Sequence, residues 1–308
     1  MSLQRVAVVQ AGTSMFDTPK TLERMRAHCE ELRRQEVQLA VFPEAYIGGY
    51  PKGLDFGARV GTRSAEGRED FRRYFEAAID VPGPEVAQMG EFARLANSYL
   101  VVGAIERDGY TLYCSALFFS PQGELIGKHR KLMPTASERL IWGMGDGSHI
   151  PVVDTPLGKI GAAICWENYM PALRLSMYAR GINLWCAPTV DEREIWQASM
   201  RHIAYEGRCF VLCACQYFTR ADCPPDYNCI QGNDPGTELI RGGSVIISPL
   251  GEVLAGPVQG REAILTADID PADVLRGKYD LDAAGHYARP DVFTLTVNTQ
   301  PQPPVWEE

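Results

Sequence analysis

No stretch of this 308-residue chain approaches the roughly 18 consecutive apolar residues that a membrane-crossing helix needs. Basic charge is also scarce, with 30 Lys and Arg against 39 Asp and Glu and a formal net charge of -9 at pH 7. Proteins that neutralise a phosphate backbone carry a basic stripe or face, so nucleic acid is excluded as the expected partner and small-molecule chemistry is favoured. The middle of the chain lacks a Ser/Gly-rich or charge-run linker, which argues for one catalytic domain rather than two. Residues 1–9 lack the longer hydrophobic stretch and small-residue cleavage site of a secretory signal, so a cytoplasmic location is expected. Histidine is rare. None of His28, His129, His149, His202 and His286 sits at an evident strand-to-helix elbow, which leaves a cysteine–histidine catalytic pair without its second member.

Cysteine, by contrast, is plentiful, but nine is an odd number in a long chain, so most are expected as reduced thiols and not as a disulfide framework. The densest group, Cys209, Cys213, Cys215, Cys223 and Cys229, has neither paired CxxC spacing nor a histidine, and the run 209–215 reads as a buried strand. No metal site is expected there. Hydrophobic residues make up 45% of the chain and charged ones 22%, the balance of a protein with a large core.

Apolar, β-branched runs alternate with helical patterns. Strands are expected near 5–10 and 38–42, a helix near 18–35, and helices on either side of 82–84. Runs 99–105 and 112–119 are joined through Asp108-Gly109, a hairpin signal that makes the sheet mixed and not purely parallel. A proline-and-glycine turn occurs three times, at 120–123, 155–158 and 248–251, each between strand-like runs and each read as a hairpin. Further strands are expected near 160–164, 182–186 and 209–215, with helices near 169–180 and 192–207, giving an α/β fold of two helix-covered sheets. The proline-rich stretch 286–308 is expected to be an extended tail after a domain spanning 1–285.

Four residues stand out for chemistry. Cys165 ends an apolar strand of small residues, 159–164, and precedes a helical pattern, where the helix N-terminal dipole would favour a thiolate over the free thiol. A buried core cysteine is the commoner fate of the residue type. Glu44 follows the apolar run 39–43 at the start of a Gly/Pro-rich loop, the carboxyl end of a strand, where ligand and catalytic groups of α/β sheets gather. It reads as a base for the thiol proton, or as a solvated loop acid. In Lys128-His129-Arg130-Lys131, strand alternation sets Lys131 on the opposite face from Arg130, so Lys131 is the ammonium that would hold charge developing on a tetrahedral intermediate. Glu138 either serves the cap of a short helix opened by Thr135 or Ser137 or joins the site, and the residues alone leave both open.

Phe42-Pro43-Glu44, Lys128-His129-Arg130-Lys131-Leu132 and Ile164-Cys165-Trp166-Glu167-Asn168 together resemble the Glu-Lys-Cys motifs of the nitrilase, or carbon–nitrogen hydrolase, superfamily over nearly the whole chain. The run from Cys165 to Pro171, with 131–135, Glu138-Arg139 and Trp142-Gly143, is similar to its nitrilase branch, and 285–291 resembles the tail motif of bacterial arylacetonitrilases. The resemblance implies a four-layer α-β-β-α sandwich with two mixed β-sheets and a homodimer or larger homo-oligomer, spirals included, with the C-terminal tail at a subunit interface. It implies hydrolysis of a small-molecule nitrile, of the arylacetonitrile type, to carboxylic acid and ammonia through a cysteine thioimidate and thioester. Glu44, Lys131, Cys165 and Glu138 would be the catalytic set, Trp166 and Thr189 would line the substrate pocket, and neither metal nor organic cofactor would be required. An aliphatic amidase or carbamoylase and a cyanide-degrading enzyme are the alternatives on the same scaffold. A catalytically idle assembly module and a thiol-based metal or redox protein are the rivals of other classes.

Overall fold

The computed structural model describes residues 3–303 and 305. Strands β1 (Gln4–Gln10), β2 (Leu39–Val41), β3 (Ile79–Asp80), β4 (Tyr99–Asp108), β5 (Thr111–Phe119) and β6 (Leu125–Arg130) lie in one sheet, and β7 (Val152–Thr155), β8 (Gly158–Ala162), β9 (Leu184–Thr189), β10 (Phe210–Cys215), β11 (Tyr217–Thr219), β12 (Glu238–Ile247) and β13 (Val253–Gln259) in a second. The last strand, β14 (Ala263–Ile269), returns to the first sheet and pairs antiparallel with β1. Both sheets are mixed: β1, β2 and β4 run parallel and β4, β5 and β6 antiparallel, while β8, β9 and β10 run parallel and β12 pairs antiparallel with β10.

The three turns read from Pro and Gly each close an antiparallel pair, β5–β6, β7–β8 and β12–β13. In the first and third, the glycine N–H bonds back to the opening serine carbonyl, Gly123 to Ser120 at 2.8 Å and Gly251 to Ser248 at 2.9 Å, and both glycines hold φ near +80° (83° and 81°). A side chain there would be strained.

Strand alternation builds the layers. Val6 and Val8 of β1 face a core shared with Ile160 of β8, Leu184 of β9 and Leu212 of β10, whereas Ala7 and Val9 face α1 (Thr18–Arg34). On α1, Leu22, Met25, Cys29 and Leu32 recur at three- and four-residue spacing and form one buried stripe, and the helix start is capped by Asp17, which accepts from Lys20 N at 3.0 Å. With α3 (Pro84–Ala96), whose Met89, Phe92 and Ala93 enter the same core, α1 covers the first sheet. On the other side α4 (Pro171–Ala179) and α5 (Glu194–Gly207) bury Met177, Trp196, Met200 and Ile203 against Trp185, Val211 and Cys213 of the second sheet. The order is helices, sheet, sheet, helices. Each fully buried large side chain in these layers contributes roughly 1.5–3 kcal/mol.

Helix α2 (Ala65–Ala77) precedes β3, and α6 (Ala272–Lys278) follows β14. Among the described residues no helix is long and apolar enough to cross a membrane. The described part of 286–308 contains neither helix nor strand. It packs back on its own chain beside 146–149: Gln302 N donates to Asp146 Oδ2 at 2.8 Å, and Val297 joins the core under α4 and α5. Positions 304 and 306–308 of the expected tail lie outside the described residues.

Candidate active site

Glu44, Lys131, Cys165 and Thr189 follow or end β2, β6, β8 and β9, so the groups singled out from sequence emerge at carboxyl ends of strands from both sheets. Past β2 the chain bonds Phe42 N to Val101 O at 2.8 Å and then bends at Ala45, which has φ +49°. Gln216, just beyond β10, crosses from the second sheet to hold this bend, donating through Nε2 to the Glu44 carbonyl at 2.7 Å. Gly103 of β4 lies under it. A Cβ there would sit 2.0 Å from Pro43 O and 2.8 Å from Glu44 Cα. Gly103→Ala is therefore expected to displace Glu44, at an overpacking cost of about 1–3 kcal/mol read as a lower melting temperature, and to slow turnover by about a hundredfold.

The Glu44 carboxylate is fully buried. Its Oε1 accepts from Lys131 Nζ at 2.6 Å, while Oε2 is buried with no hydrogen-bond partner among the described residues. Burial pushes the Glu44 carboxyl up to about 7 against the pull of Lys131, and the Glu138 charge adds to the rise. Lys131, equally buried, also donates to Glu138 Oε2 at 2.8 Å, and its ammonium sits 5.4 Å from the centre of the Trp142 ring. Burial alone would strip its proton, yet Glu44 and the other negative groups around it outweigh burial and hold it as an ammonium well above the ordinary lysine value. Lys128 and Arg130 turn instead to Glu106, at 2.7 and 2.6 Å, on the face opposite Lys131 as alternation requires.

Glu138 does both things left open by the sequence. Its Oε2 accepts from Thr135 N at 2.6 Å, capping the 3-10 turn Ala136–Leu140, and from Lys131, while Oε1 accepts from Tyr50 Oη at 2.8 Å. Burial and the neighbouring Glu138 charge keep Tyr50 a neutral phenol.

Cys165 is buried and adopts φ +51°, a conformation costly for any residue with a Cβ. The elbow is held by Asn168, whose Nδ2 donates to the carbonyls of Ala163 at 2.8 Å and Cys165 at 2.7 Å while its Oδ1 accepts from Trp185 Nε1 at 2.8 Å. Thr189 Oγ1 reaches Cys165 Sγ at 3.3 Å. The helix expected after the thiol is there, α4 from Pro171, but the 3-10 turn Cys165–Tyr169 stands between it and Cys165, so a dipole that acts within a helix's first turn does not give the thiol the expected help. Burial, joined by the Glu44 charge, pushes the thiol well up, so it rests protonated beside a base.

Trp166 does not join this cluster through its side chain. Its ring is partly exposed, donates through Nε1 to Asp191 Oδ2 at 2.9 Å and lies under the Arg193 guanidinium. Sequence reasoning missed Tyr50, Trp142, Gln216 and Asp191. Tyr50 stood in the Gly/Pro-rich loop already noted after Glu44 and Trp142 in the Trp142-Gly143 pair that resembles the nitrilase branch, though neither was given a role, and nothing local pointed to Gln216 or Asp191. A cavity of about 420 Å³ opens over Tyr50 and Glu138, with apolar walls from Leu54, Phe56, Leu140 and Ile141. The run 209–215 is a fully buried strand of free thiols, and among the described residues no group of three or more His, Cys, Asp or Glu could hold a metal ion.

Residues 5–279 match the family profile described as Carbon-nitrogen hydrolase. The chain is 57% identical over 309 aligned positions to Nitrilase 2 of Arabidopsis thaliana, covering 99% of this chain and 91% of that protein. The chain belongs to the nitrilase branch of the carbon–nitrogen hydrolase superfamily. It is thus a hydrolase acting on carbon–nitrogen bonds other than peptide bonds. Another member of the branch, a bifunctional nitrilase/nitrile hydratase of Lupinus angustifolius, is 56% identical over 98% of this chain and 88% of its own length. The superfamily fold is also seen in Saccharomyces cerevisiae Nit3, with a TM-score of 0.70 at 21% identity over 93% of this chain and 97% of that one.

Proposed function

We propose that this nitrilase-branch enzyme hydrolyses an arylacetonitrile-type substrate to the carboxylic acid and ammonia, with Cys165 as nucleophile, Glu44 as base and Lys131 as the cation. The observation that carries this reading is the unpartnered, buried Oε2 of Glu44 in a cluster where Oε1 is tied to Lys131 and the neighbouring thiol is held protonated. Glu44 takes the thiol proton as Sγ adds to the nitrile carbon, and the proton passes to nitrogen to leave a neutral thioimidate. Water adds to that carbon, ammonia departs to give the thioester, and a second water releases the acid and returns the proton to sulfur. The Lys131 ammonium stabilises charge on each tetrahedral species, and Glu138 positions Lys131. Thr189 contacts the sulfur, and Trp166, next to Cys165 in the chain, is turned to Asp191. The apolar walls Leu54, Phe56 and Ile141 favour an aromatic ring over a short alkyl chain.

The test is release of acid and ammonia from phenylacetonitrile, mandelonitrile, an aliphatic nitrile, cyanide and the matching amides. Equal acid and ammonia from the aryl nitriles, with little from added amides, is the expected result. Turnover of amides alone would move the chain to amidase chemistry, and turnover of cyanide alone to cyanide degradation.

Two further outcomes follow. The base must be ionised in the free enzyme, and Glu44 is raised to about 7, so the protonated, idle form predominates below that value. The acid limb of kcat/KM is expected to fall about tenfold per pH unit below about 7, and a profile flat down to about pH 5 would remove Glu44 as the base. We also propose a homo-oligomer. Tyr169, Ile195 and Tyr205 are apolar side chains exposed on or beside α5, and a sedimenting mass of one 34.1 kDa chain would refute assembly.

A further inference from the structure

His129 on β6 is wholly buried between two oxygen acceptors. Its Nδ1 lies 2.6 Å from the His149 carbonyl oxygen and its Nε2 lies 2.9 Å from Glu167 Oε2. An acceptor on each side calls for an N–H on each side, which only the imidazolium has, since a neutral tautomer would turn a lone pair toward one of the oxygens. Glu167, also buried, is its counter-charge. The same carboxylate accepts two backbone N–H groups: Oε2 from Ile164 N at 2.8 Å and Oε1 from Leu132 N at 2.6 Å. Ile164 immediately precedes Cys165, and Leu132 immediately follows Lys131.

We propose that the His129–Glu167 ion pair is a positioning device that clamps the nucleophile segment and the lysine segment at a fixed separation. It acts on the reaction through Cys165 and Lys131 without touching the substrate. This role rests on Cys165 being the nucleophile. The pair joins the first sheet, through β6, to the elbow after β8 in the second. Glu167 is the charged group turned to the ring: Lys128 and Arg130 on the same strand face Glu106, Lys131 faces Glu44 and Glu138, and the His149 side chain faces Ser148 and Asp146. Burial is the largest single influence on His129 and works against its charge, but the charge and hydrogen bond of Glu167 and the His149 carbonyl together outweigh it, so the ring titrates above the ordinary histidine value. The bracing is complete below about 6.5 and is lost only as pH rises through the raised value.

The experiment pairs two variants with one measurement on the unaltered protein. His129→Gln keeps a single N–H for Glu167 but removes the charge, and Glu167→Gln sets an amide NH2 against groups that are themselves donors. The expected result is a fall in kcat of about tenfold for the first and about a hundredfold for the second. KM should stay within about threefold, because no substrate contact is lost. Alkylation of Cys165 by iodoacetamide, read by mass spectrometry, should slow in step with kcat, while circular dichroism and the melting curve show folded protein at the assay temperature. In the unaltered enzyme labelled with 15N-histidine, the His129 ring should carry protons on both nitrogens near pH 7, where an ordinary histidine is mostly neutral.

Unchanged kcat in folded His129→Gln, or a neutral His129 ring near pH 7, would overturn the proposal, and both can be read even if Glu167→Gln does not fold. A fall in kcat with an undiminished rate of Cys165 alkylation would also overturn the clamp while leaving the nucleophile in place. Loss of the nucleophile assignment itself would instead appear as turnover surviving in Cys165→Ala.

Discussion

Replacing Cys165 with alanine is expected to abolish acid and ammonia release from every nitrile the enzyme accepts, by about 10⁴-fold or more, while leaving a folded protein. The loss follows from the covalent catalysis proposed above: without sulfur no thioimidate could form, and Glu44 and Lys131 would have no bond-forming step to assist. Little stability should go with it. Alanine inherits the same positive φ at the elbow, and the thiol contributes a single weak contact to Thr189 and the packing of one atom. A change of about 1 kcal/mol is expected, read as a small shift in melting temperature. The variant should still be stabilised against heat by an aryl nitrile, because binding does not need the sulfur. Turnover that survived in this variant would end the assignment of Cys165.

Lys131→Met is the second large effect, and it should strike both function and fold. The variant loses the cation that steadies the tetrahedral species, for a fall in kcat of about 10³-fold. It also leaves the buried Glu44 and the almost buried Glu138 facing each other without a counter-charge, and removing one partner of a buried ion cluster costs about 3–5 kcal/mol. The pH dependence has a definite sign. Glu44 is raised to about 7 even with Lys131 present, so the folded protein holds a proton that the unfolded chain releases near 4.5. Stability therefore falls as pH rises through that window, and more steeply once the lysine is gone. The melting temperature of Lys131→Met should lie closer to that of the unaltered enzyme near pH 5 than near pH 8. A deficit that grew toward acid would contradict the placement of Lys131 between the carboxylates.

These effects depend on different kinds of information in the chain. The hairpin turns were legible because proline and glycine act locally, and the strands because alternation is local too. Glu44 and Cys165 could be picked out because each follows an apolar strand, and Lys131 because it ends a run of cations in which parity separates it from Arg130. The four-layer stacking was not readable from periodicity and came with the family resemblance. The dipole argument failed at Cys165 although the helix was placed near 169–180, because the dipole acts only within the first turn and the 3-10 turn Cys165–Tyr169 stands between the thiol and α4. Gln216 and Tyr50 were hidden for another reason: their partners, Glu44 and Glu138, lie 172 and 88 residues away. His129 was visible only as an unsuitable base, since its counter-charge, Glu167, lies 38 positions on.

Glu44 and Lys131 ride on one sheet, and Cys165 and Thr189 ride on the other. Between the sheets lies the apolar layer that contains Val8, Val41, Ile160 and Leu212. The packing of that layer sets how far apart the two sheets sit, so it bears on the spacing of Cys165 and Glu44 as well as on cohesion. Truncating Leu212, wholly buried between the sheets, would let them settle toward each other and shift the distance from thiol to carboxylate.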